Sequence, residues 1–321
     1  MNLSQSQFQS AANYIKTRAL PVEQALFTWA FEKGSTDEVL EALATHQAED
    51  GGYVQLEPDA VVQESTVLDT TRAFQVHRRI GTPLDHPQIQ AGIRYLMDTF
   101  DEKRHIWPIR ASTSPDQPGA PWWQADDLAS LIERFGGCKG NPTPEVIGYL
   151  RDYPTEIDPD FIDTLESEAV EHLMSQPHEM DAHDLHCFIH FSETRTLDEA
   201  VRQQVIEKLQ KILAATVTTD PSLWNGYCLR PLWVIEHPDS PLLVGIDPDL
   251  VERNIQHKIR GQNENGSWGP TWEWGQFPEL WEEARRAWAS SPSEISSCSE
   301  TSDESMDILD VYRERLHLSL G

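Results

Sequence analysis

Between Glu179 and His190 the chain reads Glu-Met-Asp-Ala-His-Asp-Leu-His-Cys-Phe-Ile-His. On a helix, His183, His186, Cys187 and His190 fall near one face. Residues of these types at this spacing suit two chemistries. His183 and Asp184 can act as a general acid–base pair, or His183, His186 and His190 can hold a metal such as zinc. A purely structural alternative is a helix capped by Asp181 whose histidines are satisfied by neighbours. A second set of candidates is aromatic. The chain has 11 tryptophans, nine of them at Trp122-Trp123, Trp224, Trp233, Trp268, Trp272-Glu-Trp274, Trp281 and Trp288. Indole faces line apolar pockets and stabilise positive charge through the ring quadrupole. Trp122, Trp123, Trp224, Trp272 and Trp274 are the expected substrate-binding residues, with structural packing as the competing role for each. Tyr227, Arg230 and His183 are the donors that can polarise a substrate carbonyl.

These residues must be carried by helices. Hydrophobic spacing and end signals predict helices over residues 26–31, 39–46, 65–80, 86–100, 143–150, 165–174, 182–191, 197–213 and 248–259. Gly81 is a natural stop for the third of these. Thr143-Pro144-Glu145 reads as a cap, a first-turn proline and an early acid, and Asp247 reads as a cap. Asp126 and Asp127 read as caps for a helix running to Phe135. Asp69, with Glu64 near the first glycine turn, is expected to bond backbone or Arg72 unless it faces a cavity. Strand alternation and hairpin turns are nearly absent. Residues 289–305 are acidic and serine-rich, and read as a flexible insertion before a last helix within residues 306–321.

The most informative pattern is internal. Gln47-Ala-Glu-Asp-Gly-Gly-Tyr53 and Gln262-Asn-Glu-Asn-Gly-Ser-Trp268 share the form Gln-x-x-x-Gly-x-aromatic, and each follows a helix bearing aliphatic residues. A degraded copy lies within residues 95–107, ending at Trp107. Glycine permits the tight turn, glutamine can bond exposed backbone at a helix end, and the aromatic packs on the adjacent helix. This form resembles the QW motif of squalene-hopene and oxidosqualene cyclases, found also in the β-subunits of protein prenyltransferases. The resemblance extends in pattern over about residues 25–288. Ala120-Pro-Trp-Trp123 with Asn141-Pro-Thr143 looks like a group of single-domain cyclase-like proteins. What the resemblance implies is an all-α fold, an (α/α) toroid of helical hairpins forming a single domain over residues 1–288.

The chemistry implied by the resemblance is narrower than the fold. The Asp-x-Asp-Asp motif of proton-initiated cyclases is missing. Asp158-Pro-Asp160 and Asp247-Pro-Asp249 look like helix starts, and Asp126-Asp127 lacks the third acid of a magnesium-diphosphate site. No convincing copy of the prenyltransferase zinc ligands is found. The expectation is therefore an enzyme that closes a ring in a hydrophobic, isoprenoid-derived small molecule, without redox chemistry, metal or cofactor. It would work by shape-guided positioning, including a pericyclic closure such as an intramolecular Diels–Alder reaction, or by protonation from a carboxylate or histidine in the cavity. The expected catalytic residues are His183, Asp184, Tyr227 and Arg230. The alternatives are a non-catalytic toroid that binds a lipid or a partner protein, and a metal-dependent enzyme at the histidine cluster.

Bulk composition is compatible with this reading. The 321 residues are 39% hydrophobic and carry a net charge of −28. A polyanion of this kind disfavours nucleic acid and anionic membrane surfaces as partners. No apolar run approaches the ~18–20 residues that a membrane helix needs, and the N-terminus lacks signal-peptide features. The four cysteines, Cys138, Cys187, Cys228 and Cys298, form no Cys-x-x-Cys pair, so a reducing cytoplasm is the expected compartment.

Overall fold

The computed structural model describes residues 3–153, 157–235 and 240–289. Among these the regular structure is helical, with no strand and only isolated bridges at turns. The helices are α1 (Gln5–Arg18), α2 (Pro21–Glu32), α3 (Thr36–Ala44), α4 (Val67–Ile80), α5 (Pro87–Asp98), α6 (Leu128–Arg134), α7 (Thr143–Asp152), α8 (Pro159–Ser175), α9 (Ala182–Ser192), α10 (Glu199–Thr216), α11 (Pro231–Val234), α12 (Pro248–Arg260) and α13 (Pro278–Trp288). None is long and apolar enough to cross a membrane. The expected insertion at residues 289–305 and the expected last helix lie, but for Ala289, outside the described residues.

Local sequence accounts for most helix ends. Asp127, Asp158, Asp181 and Asp247 each accept backbone N–H bonds at the start of α6, α8, α9 and α12. Gly81 ends α4 in the left-handed conformation. Thr143 departs from expectation. It is the first residue of α7, with Pro142 before it, and its hydroxyl accepts the Trp107 backbone N–H at 3.0 Å. Helices outside the expected set carry start signals too. Ser4 and Gln7 form a reciprocal capping box at the start of α1, and Pro278 opens α13.

The chain separates into two compact units. The first draws on residues up to Ala42, on Gln210–Glu273 and on residues from Glu282; the second comprises Leu43–Leu209 and Trp274–Trp281. In the first unit α1 packs on α2 and α11 on α12, and Phe27, Ile15 and Trp268 share one core cluster. In the second unit α7 is central, packing on α8 and α9 and touching α4 and α5. Every residue of α7 except Arg151 is buried.

The repeated motif has the same geometry in each unit. Gln47 Nε2 donates to the Gly51 carbonyl within its own turn and to the Gln88 carbonyl in the first turn of α5, both at 2.9 Å. Gln262 Nε2 donates to the Gly266 carbonyl and to the Gln7 carbonyl in the first turn of α1, again both at 2.9 Å. Gly51 and Gly266 have φ of 91° and 90°, a conformation that disfavours other residues. A Cβ on either would strike backbone of the braced helix, at Ala91 or at Ser10. The glutamine is thus a cross-link from one turn to a neighbouring helix. The expected third copy keeps the aromatic and the positive φ. His105 has φ of 55°, Trp107 is fully buried, and its indole donates to the Leu96 carbonyl at 2.5 Å. The Trp268 indole makes the equivalent bond to the Lys258 carbonyl at 2.8 Å. Asp101 replaces the glutamine and bonds its own turn.

Candidate functional site

The sequence-derived candidates divide between the two units. In the first unit Tyr227 is exposed, and its ring meets Trp233 and Trp272 edge-on at 5.8 and 5.9 Å. Trp272 also meets Trp288 at 5.3 Å, and the Arg230 guanidinium lies 5.3 Å from the Trp233 ring centre. These residues form an aromatic cluster with one cation on its edge. Trp224 is buried, its indole donates to the Thr218 carbonyl at 2.9 Å, and its own carbonyl accepts Arg230 Nη1 at 3.4 Å. The first unit also has a groove of about 500 Å³ elsewhere on its surface, lined by polar groups including Asn13, Tyr14, Arg18, Glu264 and Arg285.

In the second unit α9 places the histidine segment. His183 is exposed near the start of the helix, whereas Cys187 is buried and His190 is largely so. His190 reaches α7. Its Nδ1 lies 3.0 Å from Glu145 Oε1 on α7. The same oxygen accepts the Tyr149 hydroxyl at 2.5 Å and Gln75 Nε2, from α4, at 2.8 Å. Cys187 donates its thiol to Asn141 Oδ1 at 3.6 Å. Among the described residues no three His, Cys, Asp or Glu side chains stand close enough together to hold a metal ion.

Close approach of α7 and α9 makes this cluster. Gly148 on α7 faces Thr194 and Phe191, and a Cβ there would strike the Thr194 hydroxyl. Gly140, just before α7, leaves room for the Asp184 carboxyl in the same way. The two carboxyls of the cluster are driven in opposite directions. Burial pushes Glu145 up, but His190, Tyr149 and Gln75 outweigh it and bring its pKa from 4.5 to about 2. Burial, helped by Asp181, pushes Asp184 from 3.8 up to about 6. Between them lies the Cys187 thiol, raised well above its usual value by burial and by both carboxyls, so it is a poor nucleophile. Two carboxyls whose surroundings separate their pKa values are the ordinary structural basis for one acid and one base at a single site.

The turn at residues 135–140 joins this cluster to the expected aromatic loop. Phe135 stacks on Trp123 at 5.1 Å with planes inclined by 19°. Cys138, three residues on, is close enough to Asp184 for its carboxylate to raise the thiol pKa, though burial is the larger cause. Trp122 is half-buried beside Trp123. Trp274 is buried and donates its indole N–H to Asp59 Oδ1 at 2.9 Å. Asp69 bonds backbone, as one of its expected roles required. Its Oδ1 accepts the N–H groups of Leu56 and Glu57, both at 2.7 Å, while Arg72 pairs with Glu57 instead.

Asp184, Cys187 and His190 are therefore the part of the helical pattern that the structure gathers. Glu145, Gln75, Tyr149 and Asn141 complete it. The sequence signal for Glu145 was its position: an acid set among Val146, Ile147, Tyr149 and Leu150, where an apolar helix face buries its neighbours. No protein-family model matches the chain, and no curated protein matches it.

Proposed function

We propose that this chain is a ring-closing enzyme of the α/α-toroid kind, acting on a hydrophobic, isoprenoid-derived substrate without redox chemistry. The observation that carries the reading is the Glu145–His190 pair held between α7 and α9, with half-buried Asp184 on the same helix as His190 and against the 135–140 turn, whose Phe135 stacks on Trp123. The paired glutamine braces support the toroid, because they hold helices in the manner of the QW motif. Asp184 gives its proton to a substrate double bond. The cation so formed is held by indole and closes on a second double bond, and His190, oriented by Glu145, takes the proton away. The reaction is then a net isomerisation that forms one ring. His190 replaces His183 in this role, because His183 is exposed while His190 is fixed by a buried carboxylate. Trp123 and Trp122 are the substrate-facing aromatics nearest this site.

The test is incubation of the purified chain with linear isoprenoid alcohols, epoxides and carboxylic acids of farnesyl, geranylgeranyl and squalene length. Products are separated by gas chromatography with mass detection. The expected result is a product of unchanged mass with one double bond fewer and one ring more. Its formation should fall about 100-fold or further in Asp184→Asn and in His190→Phe. No isomer from any of these substrates, or turnover unchanged in both variants, contradicts the proposal.

A further inference from the structure

Arg110 is the most deeply buried arginine of the second unit, 2% exposed. Its Nε and Nη2 are sealed from solvent and have no hydrogen-bond partner. Those two nitrogens are not an arbitrary pair. They form one edge of the guanidinium, where two N–H bonds run parallel and match the two oxygens of a carboxylate. Other arginines of the same unit show what that edge does when supplied. Arg72 turns Nε and Nη2 onto Glu57, with Nε at 2.6 Å. Arg151 turns Nε onto Glu166 at 2.7 Å and Nη2 onto Asp163. Arg78 leaves its Nε without a hydrogen bond too, but its Nη2 still lies within 2.9 Å of the Asp152 carboxylate, off the hydrogen-bond axis.

Nothing in the neighbourhood does the same for Arg110. Glu64 and Asp69 are near enough to attract it, but burial outweighs them and its pKa is lowered. Both carboxylates have other donors. Glu64 accepts the Ser112 hydroxyl; Asp69 accepts two backbone N–H groups on one oxygen and the Thr66 hydroxyl on the other. Residues 99–127, which carry Arg110, have no regular structure beyond the single turn at Pro121–Trp123. Connections longer than ~12–15 residues are uncommon in compact folds and are usually functional or linker segments. The same segment buries a second orphan donor, the Trp123 indole N–H.

We infer that Arg110 is a carboxylate receptor: its Nε–Nη2 edge takes both oxygens of a carboxylate on a small ligand, which enters as the 99–127 segment parts. The ring-closing reading is not needed for this, since the empty edge alone motivates it. The probes carry an apolar body because the segment that bears Arg110 also buries Ile109, its chain neighbour. Benzoate and decanoate are the probes, with benzyl alcohol and decanol as neutral counterparts and inorganic phosphate as the competing anion. Calorimetry on the full chain should show saturable binding of a carboxylate probe, with at least a tenfold higher Kd for its alcohol and for phosphate. Arg110→Gln should raise the Kd of the carboxylate at least tenfold. Arg110→Lys, which keeps the charge but not the fork and serves if the glutamine variant fails to fold, should do the same. In nitrogen-15 spectra of the native chain, the carboxylate should shift the Arg110 Nε resonance. Binding unchanged in Arg110→Lys, equal binding of alcohol or phosphate, or no saturable binding of either carboxylate overturns the inference.

Discussion

Replacing Glu145 by glutamine tests the energetics of the α7–α9 cluster. In the fold its carboxylate accepts Tyr149, Gln75 and His190 on one oxygen, and its pKa falls from 4.5 to about 2. Each pKa unit is worth ~1.36 kcal/mol, so ionised Glu145 contributes on the order of 3 kcal/mol to stability, shared with His190. The sign follows from the direction of the shift. A depressed carboxyl stabilises the fold fully above its unfolded value, near 4.5, and that stability is lost as pH falls toward 2. Glutamine cannot ionise, and its amide cannot accept every donor that the carboxylate serves. Urea unfolding at pH 7, followed by circular dichroism, should show Glu145→Gln less stable than the native chain by about 2–3 kcal/mol. At pH 2.5 the difference should shrink to roughly 1 kcal/mol or less. Equal stability at pH 7, or a gap that persists at pH 2.5, refutes the reasoning, because either result means that the buried carboxylate is not held ionised by its partners.

Two further outcomes follow from geometry. Gly51→Ala and Gly266→Ala force a left-handed alanine and drive Cβ into the backbone of the helix that the adjacent glutamine braces, so each should cost about 3 kcal/mol or more in denaturant unfolding, against about 1 kcal/mol or less for Gly81→Ala, which meets no neighbour. In a Cys298→Ser background, a disulfide reagent at pH 8 should modify half-buried Cys228 well before Cys138 and Cys187, whose thiols are buried and raised; Cys187 reacting first would mean that α7 and α9 do not seal it.

The helical scaffold was legible because its signals are local. Asp127, Asp158, Asp181 and Asp247 announce helix starts by side-chain chemistry alone, and Gly81 announces a stop. The two glutamine turns were legible as a repeat, since the same spacing solves the same problem twice. Their partners were not. Nothing in Gln47 or Gln262 says that the carbonyls they reach belong to Gln88 and Gln7, 41 residues downstream and 255 upstream. The α9 face was half legible for the same reason. Helical periodicity grouped the histidines, but which of them turns inward depends on where α7 lies, and α7 brings Glu145 to His190 rather than a metal ligand to His183. Arg110 carries no local signal at all, because an unpaired guanidinium edge is a property of what surrounds it.

Carboxyl titration of Asp184 and Glu145 in carbon-13-labelled protein tests the proton-handling site most directly, with Asp184→Asn and Glu145→Gln assigning the resonances. Asp184 should titrate near pH 6 and Glu145 should remain ionised down to about pH 2. Both groups titrating together near pH 4 would leave the cluster without a distinct acid and base, and would contradict its role in proton transfer.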